Sequence, residues 1–179
     1  MAAFSGKEYK IFELFKDNWA VVTAGTLDYF NEYTASWGTF GTLWDREGSD
    51  GQVITVFAHP ARYTTEFLLD SEFFTVSFFP KDYRPALGYI GSHSGRDEDK
   101  IKAVGFTPFA MGGSVGYEEA ELTFLCRKVY QNHMSKDGII KEIEDYYRKF
   151  PEDYPPDENG EWTPHWMFIG EIVDVIDKR

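Results

Sequence analysis

Three polar segments of the chain contain residue types that could bind a ligand or support its chemistry. The first comprises residues 31–38, Asn-Glu-Tyr-Thr-Ala-Ser-Trp-Gly, in which small and hydroxyl-bearing residues surround Trp37. Small side chains let a flat ligand approach the main chain, whose N–H and C=O groups can then hydrogen-bond the edge of a heterocycle. A hairpin turn with Asn31 and Gly38 as turn formers explains the same residues.

The second segment comprises residues 59–66, His-Pro-Ala-Arg-Tyr-Thr-Thr-Glu, where a predicted strand gives way to a helix. The first N–H groups of a helix have no intrahelical partner and lie at the positive end of its dipole. Arg62 precedes that end and adds a planar fork of donors, so the segment predicts a phosphate site. The alternative is a plain helix start, with Thr64 or Thr65 as the N-cap and Arg62 in a surface ion pair.

The third segment comprises residues 91–100, Gly-Ser-His-Ser-Gly-Arg-Asp-Glu-Asp-Lys. Ser94 and Asp97 have the spacing of a capping box, which predicts that a helix begins at Ser94. Arg96 and Lys100 are not needed for that cap, and two cations beside a Gly-Ser loop of an acidic chain could hold an anionic ligand. A solvated charged surface is the alternative for the three acids of the segment.

Other kinds of site find less support in the sequence. There is no P-loop and no Gly-x-Gly-x-x-Gly after a strand, so nucleoside triphosphatases and Rossmann dehydrogenases lose their main support. Cys126 lies in an apolar strand and is expected to be a small buried hydrophobe. The histidines show no helical metal-ligand spacing, so no metal site is predicted. They are His59, His93, His133 and His165.

The elements that must position these segments are mostly strands. Short β-branched or aromatic runs bounded by turn residues predict strands at Trp19–Gly25, Gly38–Trp44, Val53–Ala58, Phe73–Phe79, Glu121–Tyr130 and Met167–Ile176. Helices are predicted at Thr64–Ser71, Arg84–Ile90, Ser94–Val104 and Lys136–Phe150. Because strands outnumber helices and do not alternate with long ones, the expected fold is mainly β, a closed or split antiparallel barrel with a few short flanking α-helices.

The length and composition of the chain limit the classes of protein to which it can belong. The proline-rich, acidic stretch Pro151–Gly160 predicts an extended surface loop, and too few residues follow it for a second domain, so residues 1–179 are expected to form a single domain. The net charge of -12 argues against a nucleic-acid partner, since a phosphate backbone is held mainly by Lys and Arg.

Two further features of the composition concern ligands and location. The aromatic content of 18% suits a large planar ligand or an aromatic subunit interface, although core packing explains most rings. A single cysteine excludes an internal disulfide. The sequence shows neither a secretory signal nor an apolar run long enough to span a membrane, so a soluble, cytoplasmic protein is expected.

The three segments, in this order on this strand pattern, resemble the flavin reductase-like family of FMN-binding split barrels, which includes flavoredoxin. The matching motifs are Thr-Ala-Ser-Trp-Gly at 34–38, Arg-Tyr-Thr at 62–64, Gly-Ser-His-Ser-Gly-Arg-Asp-Glu-Asp-Lys at 91–100 and Ile-Gly-Glu-Ile at 169–172. The first and third are fairly specific when found together, whereas Arg-x-Thr alone is weak. The resemblance extends from Trp19 to Val175.

The resemblance implies a dimeric split barrel with one FMN per subunit near the subunit interface. Thr34, Ala35, Ser36 and Trp37 would line the isoalloxazine ring and ribityl chain, while Arg62 and Thr64 would hold the phosphate. Ser94, Arg96 and Lys100 would contact the phosphate or the flavin edge. Asn31, Tyr63 and Gly95 complete the expected cofactor-binding set.

His165 is the candidate catalytic residue that the resemblance supplies. It is similar to a histidine that some relatives carry just before the last strand, near the nicotinamide site. The sequence around it, Thr-Pro-His-Trp at 163–166, lacks the Gly-Asp that precedes that histidine in those reductases.

By this resemblance the protein is an FMN-binding oxidoreductase, an NAD(P)H-dependent flavin reductase with NADH or NADPH as donor. The alternatives are a flavoredoxin-like carrier that exchanges electrons with a redox protein partner, or a flavin-binding module without turnover. A homodimer is expected, with no nucleic acid, membrane or metal among its partners. Arg62, Arg96 and Lys100 are expected to form a local positive pocket in the acidic surface, with Lys100 close to the flavin.

Overall fold

The computed structural model describes residues 12–179. Its strands are β1 Ala20–Thr26, β2 Tyr29–Ala35, β3 Gly38–Thr42, β4 Gln52–Ala58, β5 Phe73–Phe78, β6 Pro108–Met111, β7 Ser114–Tyr117, β8 Leu122–His133 and β9 Trp166–Asp177. The helices are α1 Tyr63–Asp70, α2 Arg84–Ser92, α3 Lys100–Val104 and α4 Lys141–Lys149, with a π-helical turn at Glu13–Asn18 and 3-10 turns at Lys81–Tyr83 and Lys136–Gly138. Among these residues, no helix is long and apolar enough to cross a membrane.

Seven strands form one antiparallel sheet in the order β2-β1-β5-β8-β9-β4-β3, and β6 pairs with β7 separately. The two edge strands, β2 and β3, are joined by only Ser36 and Trp37, so the sheet must curl until its edges meet. Across this gap the hydroxyl of Tyr33 on β2 donates a hydrogen bond to the carbonyl of Phe57 on β4, the neighbour of β3, at 2.9 Å. The predicted split antiparallel barrel with few helices is confirmed.

Apolar side chains fill the barrel because alternate residues of its strands point inward. Val22, Val76, Phe78, Phe124 and Phe168 are fully or almost fully buried in this core. A second apolar cluster lies between the sheet, α2 and the β6–β7 hairpin, and it includes Val21, Phe79, Leu87, Ile90, Phe106 and Tyr117. Cys126 is buried in the barrel, as expected, and burial raises the pKa of its thiol.

All six predicted strands overlap observed strands, but β2, β6 and β7 were not anticipated. The helix expected from Ser94 is wrong in its start: α3 begins at Lys100, and Asp99 is its N-cap, accepting a hydrogen bond from the Lys102 N–H at 3.0 Å. The helix expected over Lys136–Phe150 is interrupted, since residues 139 and 140 are extended and α4 begins at Lys141.

Candidate functional site

The corner between β2 and β3 positions the small-residue motif of the first segment. Ala35 is buried at the end of β2, whereas Ser36 and Trp37 are exposed at the corner and Trp37 has 39% of its surface accessible. Thr34 is tied to α2, since its hydroxyl donates to the Leu87 carbonyl at 2.6 Å. The segment is therefore a strand followed by a two-residue corner, and not a hairpin turn starting at Asn31.

The start of α1 positions the second segment. Arg62 occupies the N-cap position, and no side chain caps the helix. Thr64 instead donates to the Asn31 side-chain oxygen at 2.7 Å, and Thr65 donates to the His59 carbonyl at 2.8 Å. The alternative of a threonine N-cap is wrong, and within residues 12–179 no side chain accepts from the first N–H groups of α1.

Arg62 is one of the three cations that were expected at the site. Its guanidinium donates one hydrogen bond, to the Gly91 carbonyl at 2.9 Å. Within residues 12–179 it forms no ion pair with a carboxylate, so the alternative of a surface ion pair finds no support. A guanidinium has five N–H donors, and most of those of Arg62 remain free for a ligand.

The loop before α3 brings the third segment against the first two. The side-chain amide of Asn31 fills the space where a Cβ on Gly95 would stand. Asn31 also binds Thr64, so residues from all three sequence segments meet at one point. The Ser94 hydroxyl accepts from the Arg96 N–H at 3.2 Å, and the Ser94 carbonyl accepts from Asp97 and Glu98. Ser94 thus stabilises a turn and not a helix.

Two adjacent cavities lie between these segments. One of about 120 Å³ is lined by residues that include Arg62, Tyr63, Thr64, Ser94, Gly95 and Lys100. The other, of about 100 Å³, is lined by residues that include Thr34, Ala35, Ser36, Trp37, His59, Arg62 and His165. Tyr33 and Arg62 line both cavities. Of the predicted site residues, only Arg96 lines neither.

The remaining two cations of the expected positive pocket are paired with carboxylates. Lys100 and Glu32 are both only 4% exposed, their charged atoms lie 3.3 Å apart, and the Lys100 ammonium donates to the Glu32 carbonyl at 2.5 Å. Burial raises the pKa of Glu32 and lowers the pKa of Lys100, while their mutual attraction opposes both shifts. Arg96 pairs with Glu66 and lies over the Tyr63 ring at 4.4 Å. Of the three cations expected to make the pocket positive, Arg96 and Lys100 are therefore balanced by carboxylates, and the pocket is less positive than expected.

His165 lies beside Trp37, with ring centres 4.8 Å apart. Its Nδ1 shares a 2.5 Å hydrogen bond with the hydroxyl of Tyr147. Burial, with further contributions from His59 and Arg62, lowers the pKa of His165 to about 3. The imidazole is consequently neutral near pH 7 and can exchange hydrogen bonds with a ligand without adding charge.

Two residues of the site were missed by reasoning from the sequence. His59 lies 5.2 Å from His165 between ring centres, although 106 positions separate them in the chain. Tyr154, from the stretch expected to be an extended surface loop, stacks on Trp37 at 6.0 Å and also lines the cavity of about 100 Å³. The position of His59 shortly before Arg62 was an available signal, whereas nothing in the sequence indicates that Tyr154 turns inward.

A much larger apolar cavity, of about 1000 Å³, opens beside Trp37 and His165. Its wall includes Phe12, Phe15, Phe40, Ile139, Ile140, Ile143 and Tyr146. Phe12 is 89% exposed and Ile140 is 65% exposed, so the rim of this cavity presents large apolar side chains to the solvent. A large exposed apolar patch of this kind usually marks a site of interaction with another molecule.

Solved structures with the same fold include several flavoproteins. An FMN-binding protein from Thermus thermophilus is 22% identical, with 97% of this chain and 78% of that chain covered and a TM-score of 0.65. The flavoredoxin of Desulfovibrio vulgaris is 19% identical over 97% and 75% of the two chains, with a TM-score of 0.64. Component B of nitrilotriacetate monooxygenase from Bacillus cereus is 16% identical over 89% and 68%, with a TM-score of 0.63.

No curated protein sequence matches the chain significantly. The family model described as "Flavin reductase like domain", however, matches residues 13–179, nearly the whole sequence. This match confirms the resemblance carried by the three segments and the last strand. The chain belongs to the flavin reductase like domain family.

Proposed function

We propose that the protein binds FMN non-covalently and acts as a flavin oxidoreductase that takes electrons from NADH or NADPH. The observation that carries this proposal is the convergence of three sequence segments on two adjacent cavities joined at Arg62. Within residues 12–179 the half-buried guanidinium of Arg62 has no carboxylate partner, and in a chain of net charge -12 it is suited to an anionic ligand. FMN has such an anion at one end and a flat heterocycle at the other.

The residues at the start of α1 fit a phosphate. Arg62 would donate from its guanidinium, and the N–H groups of Tyr63 and Thr64 would donate from the first turn of the helix. The Thr64 hydroxyl already donates a hydrogen bond to the Asn31 side-chain oxygen, so we expect Thr64 to bind the phosphate through its main-chain N–H. Lys100 would offset the buried Glu32 carboxylate, which would otherwise repel a phosphate bound in the same cavity.

The residues at the β2–β3 corner fit a flat ring. Ala35 and Ser36 are small enough to let a ring approach the main chain. Trp37 borders both the cavity of about 100 Å³ and the apolar cavity of about 1000 Å³. When bound, FMN would supply the redox chemistry, accepting a hydride and passing electrons to an acceptor. His165 would lie beside that ring as a neutral imidazole held by Tyr147 and border the approach of a nicotinamide.

We also propose a homodimer formed through the large apolar cavity and its rim. Burial of residues such as Phe12, Ile140 and Ile143 against a second copy would remove exposed apolar surface from water. A twofold axis would bury the same patch on both chains. The large apolar cavity shares Ser36, Trp37 and His165 with the cavity of about 100 Å³, so the second copy would also cover one side of the proposed flavin site.

A second candidate function is favoured by Tyr154. Its ring stacks on Trp37, and the neighbouring Asp153 places a carboxylate at the same cavity. These side chains would hinder a dinucleotide from stacking on the flavin, whereas an electron carrier of the flavoredoxin kind needs only an exposed ring edge for a redox protein partner. A flavin-binding module without turnover is the third possibility that the family leaves open.

The test is a titration of the purified protein with FMN followed by stopped-flow reduction under anaerobic conditions. Quenching of FMN fluorescence with one site per chain would support the binding proposal, and no quenching would overturn it. Rapid bleaching of bound FMN by NADH or NADPH would support the reductase. Inertness to both donors, with rapid oxidation or reduction by a redox protein such as ferredoxin, would support the carrier instead.

A further inference from the structure

His165 has one ring nitrogen that is held by the protein and one that is open to a cavity. Its Nδ1 shares the 2.5 Å hydrogen bond with the hydroxyl of Tyr147, and its Nε2 has no hydrogen-bond partner within residues 12–179. Over the same range, the buried side-chain nitrogen and oxygen atoms that lack a partner belong to His59 and Arg127 only. The unpaired Nε2 of His165 is therefore not enclosed by protein. It borders the cavities of about 100 Å³ and about 1000 Å³, both of which His165 lines.

The hydroxyl of Tyr147 determines which nitrogen of His165 carries the proton. Burial raises the pKa of Tyr147 to about 12, and a hydrogen bond from the main chain of His165 opposes that rise. The hydroxyl is therefore protonated near pH 7, and a bond that lowers the pKa of a phenol is one that is donated to its oxygen. Because the oxygen accepts from the main chain, the hydroxyl proton is left for Nδ1. A neutral ring whose Nδ1 accepts carries its own proton on Nε2.

Both partners of this hydrogen bond are held by the fold. Tyr147 is 5% exposed and lies in the last turn of α4, where its ring packs on Trp162 with ring centres 5.5 Å apart. His165 directly precedes β9, and its carbonyl accepts from the Met134 N–H at 3.1 Å. With both ends of the bond held, Tyr147 sets the direction in which Nε2–H points.

We propose that Tyr147 is a positioning residue, which holds His165 so that Nε2–H donates to a carbonyl oxygen of a bound ligand. This inference rests on the proposed function, because both of its ligands carry such an oxygen. The ring carbonyls of FMN would be reached through the smaller cavity, and the carboxamide of NADH or NADPH through the larger one. Without the hydroxyl, the imidazole could turn about its side-chain bonds and carry its proton on either nitrogen, so the donor would no longer be held in one place.

The position of the proton can be measured without any ligand. Long-range ¹H–¹⁵N spectra of histidine-labelled protein distinguish a ring nitrogen that carries a proton from one that does not. We expect the proton of His165 on Nε2 in the wild type, and the resonances are assigned by their absence from His165→Gln. Addition of FMN to the free protein, and then of NAD⁺ or NADP⁺ to the FMN-bound protein, shows which ligand moves the Nε2 resonance.

Tyr147→Phe removes the hydroxyl and keeps the ring. Tyr130→Phe is the matched control, since Tyr130 lies on β8 and lines neither cavity. We expect Tyr147→Phe to bind the ligand that moves Nε2 about five- to tenfold more weakly, as for one lost hydrogen bond, and Tyr130→Phe to stay within about twofold of the wild type. If that ligand is FMN, its dissociation constant rises. If it is the nicotinamide, KM for NADH or NADPH rises while the affinity for FMN is retained.

The outcomes separate this inference from the function on which it rests. A wild-type protein that takes up no FMN would overturn both. Uptake of FMN with the proton of His165 on Nδ1 would overturn the role of Tyr147 alone, and so would an Nε2 resonance that neither FMN nor the nicotinamide moves. Ligand affinities in Tyr147→Phe equal to those in Tyr130→Phe would do the same. The wild-type spectra decide the question even if Tyr147→Phe does not fold.

Discussion

The side-chain amide of Asn31 stands where a Cβ atom on Gly95 would have to be. Asn31 is held there by the hydroxyl of Thr64 at 2.7 Å and is itself buried. The side chain of Asn31 on β2 therefore contacts both the loop before α3 and the start of α1. Only glycine at position 95 allows this arrangement, because any other residue would push the amide out of its place.

The first prediction follows from that contact. Gly95→Ala should displace Asn31, lower the free energy of unfolding by about 1 to 3 kcal/mol and weaken FMN binding. Gly88→Ala is the matched control: a Cβ at position 88 meets no atom within 4 Å, and alanine is the better helix former in α2. Urea unfolding and FMN titration of both variants measure the two effects. Equal behaviour of the two alanine variants would contradict the prediction.

The second prediction concerns Arg62 as the proposed phosphate ligand. Arg62→Ala should weaken FMN binding by about 1.5 to 3 kcal/mol, the range for a hydrogen bond to a charged group. Arg46→Ala removes a cation at the other end of β4, where Arg46 pairs with Glu171 at 2.8 Å, and should leave the affinity unchanged. Fluorescence titration at constant ionic strength compares the two. A similar loss in both would point to net charge and not to a phosphate contact.

The third prediction concerns the buried pair of Glu32 and Lys100. Lys100→Met leaves the Glu32 carboxylate buried without its cation and should lower the free energy of unfolding by about 3 to 5 kcal/mol. The double variant Glu32→Gln with Lys100→Met removes both charges and should recover at least half of that loss. Denaturant unfolding of the single and double variants gives the coupling between the two residues. A double variant as unstable as Lys100→Met would show that the charge of Glu32 is not the cause.

The fourth prediction is a loss of stability in mild acid. The pKa values of His59 and His165 are lowered by burial from 6.5 to about 4 and about 3. A lowered pKa means that the folded protein binds fewer protons than the unfolded chain, so the stabilisation is complete above pH 6.5 and is lost as the pH falls toward 4.

Between pH 6.5 and 4.5 each histidine should remove about 2 kcal/mol from the free energy of unfolding. Urea unfolding at several pH values measures this slope in the wild type and in His59→Asn. The variant should show a shallower slope, because it lacks one of the two groups. An identical slope in the two proteins would mean that His59 does not titrate in this range.

The fifth prediction tests the dimer face. Ile143→Glu places a charge on the rim of the large apolar cavity and should shift the protein from dimer to monomer. Val173→Glu is a control on β9: Val173 is 40% exposed and lines a different cavity, beside Glu171. Sedimentation velocity at micromolar concentration reports the oligomeric state. A wild-type protein that is monomeric with FMN bound would refute the dimer proposal.

The sequence predicts an element well when its signal is contained in its own residues. Phe73–Phe78 has four apolar residues out of six and forms the buried strand β5 as expected. The strand β2 was missed because Asn31 and Glu32 are polar residues that are nevertheless buried. Their partners, Thr64 and Lys100, lie more than 30 positions away in the chain, so nothing local distinguishes them from a turn.

The same reasoning explains which parts of the site could be predicted. The proposed phosphate site at Arg62 follows from a helix start beside a cation, which is a local pattern. The pairing of Lys100 with Glu32 and the contact of His59 with His165 depend on how the barrel closes, and spacing in the sequence does not report that. Local motifs therefore identified the segments of the site, while the charge of the site required the fold.

The two-residue connection at Ser36 and Trp37 limits how the length of this chain can vary. The edge strands β2 and β3 are joined there by only two residues. We therefore expect an inserted residue to separate the two barrel edges and to widen the cavities that the corner lines. Residues 43–51 join β3 and β4 by a longer surface loop and can accept additional residues at little cost in loop closure. Peptide tags or fused domains should therefore be tolerated within residues 43–51 and rejected at the corner.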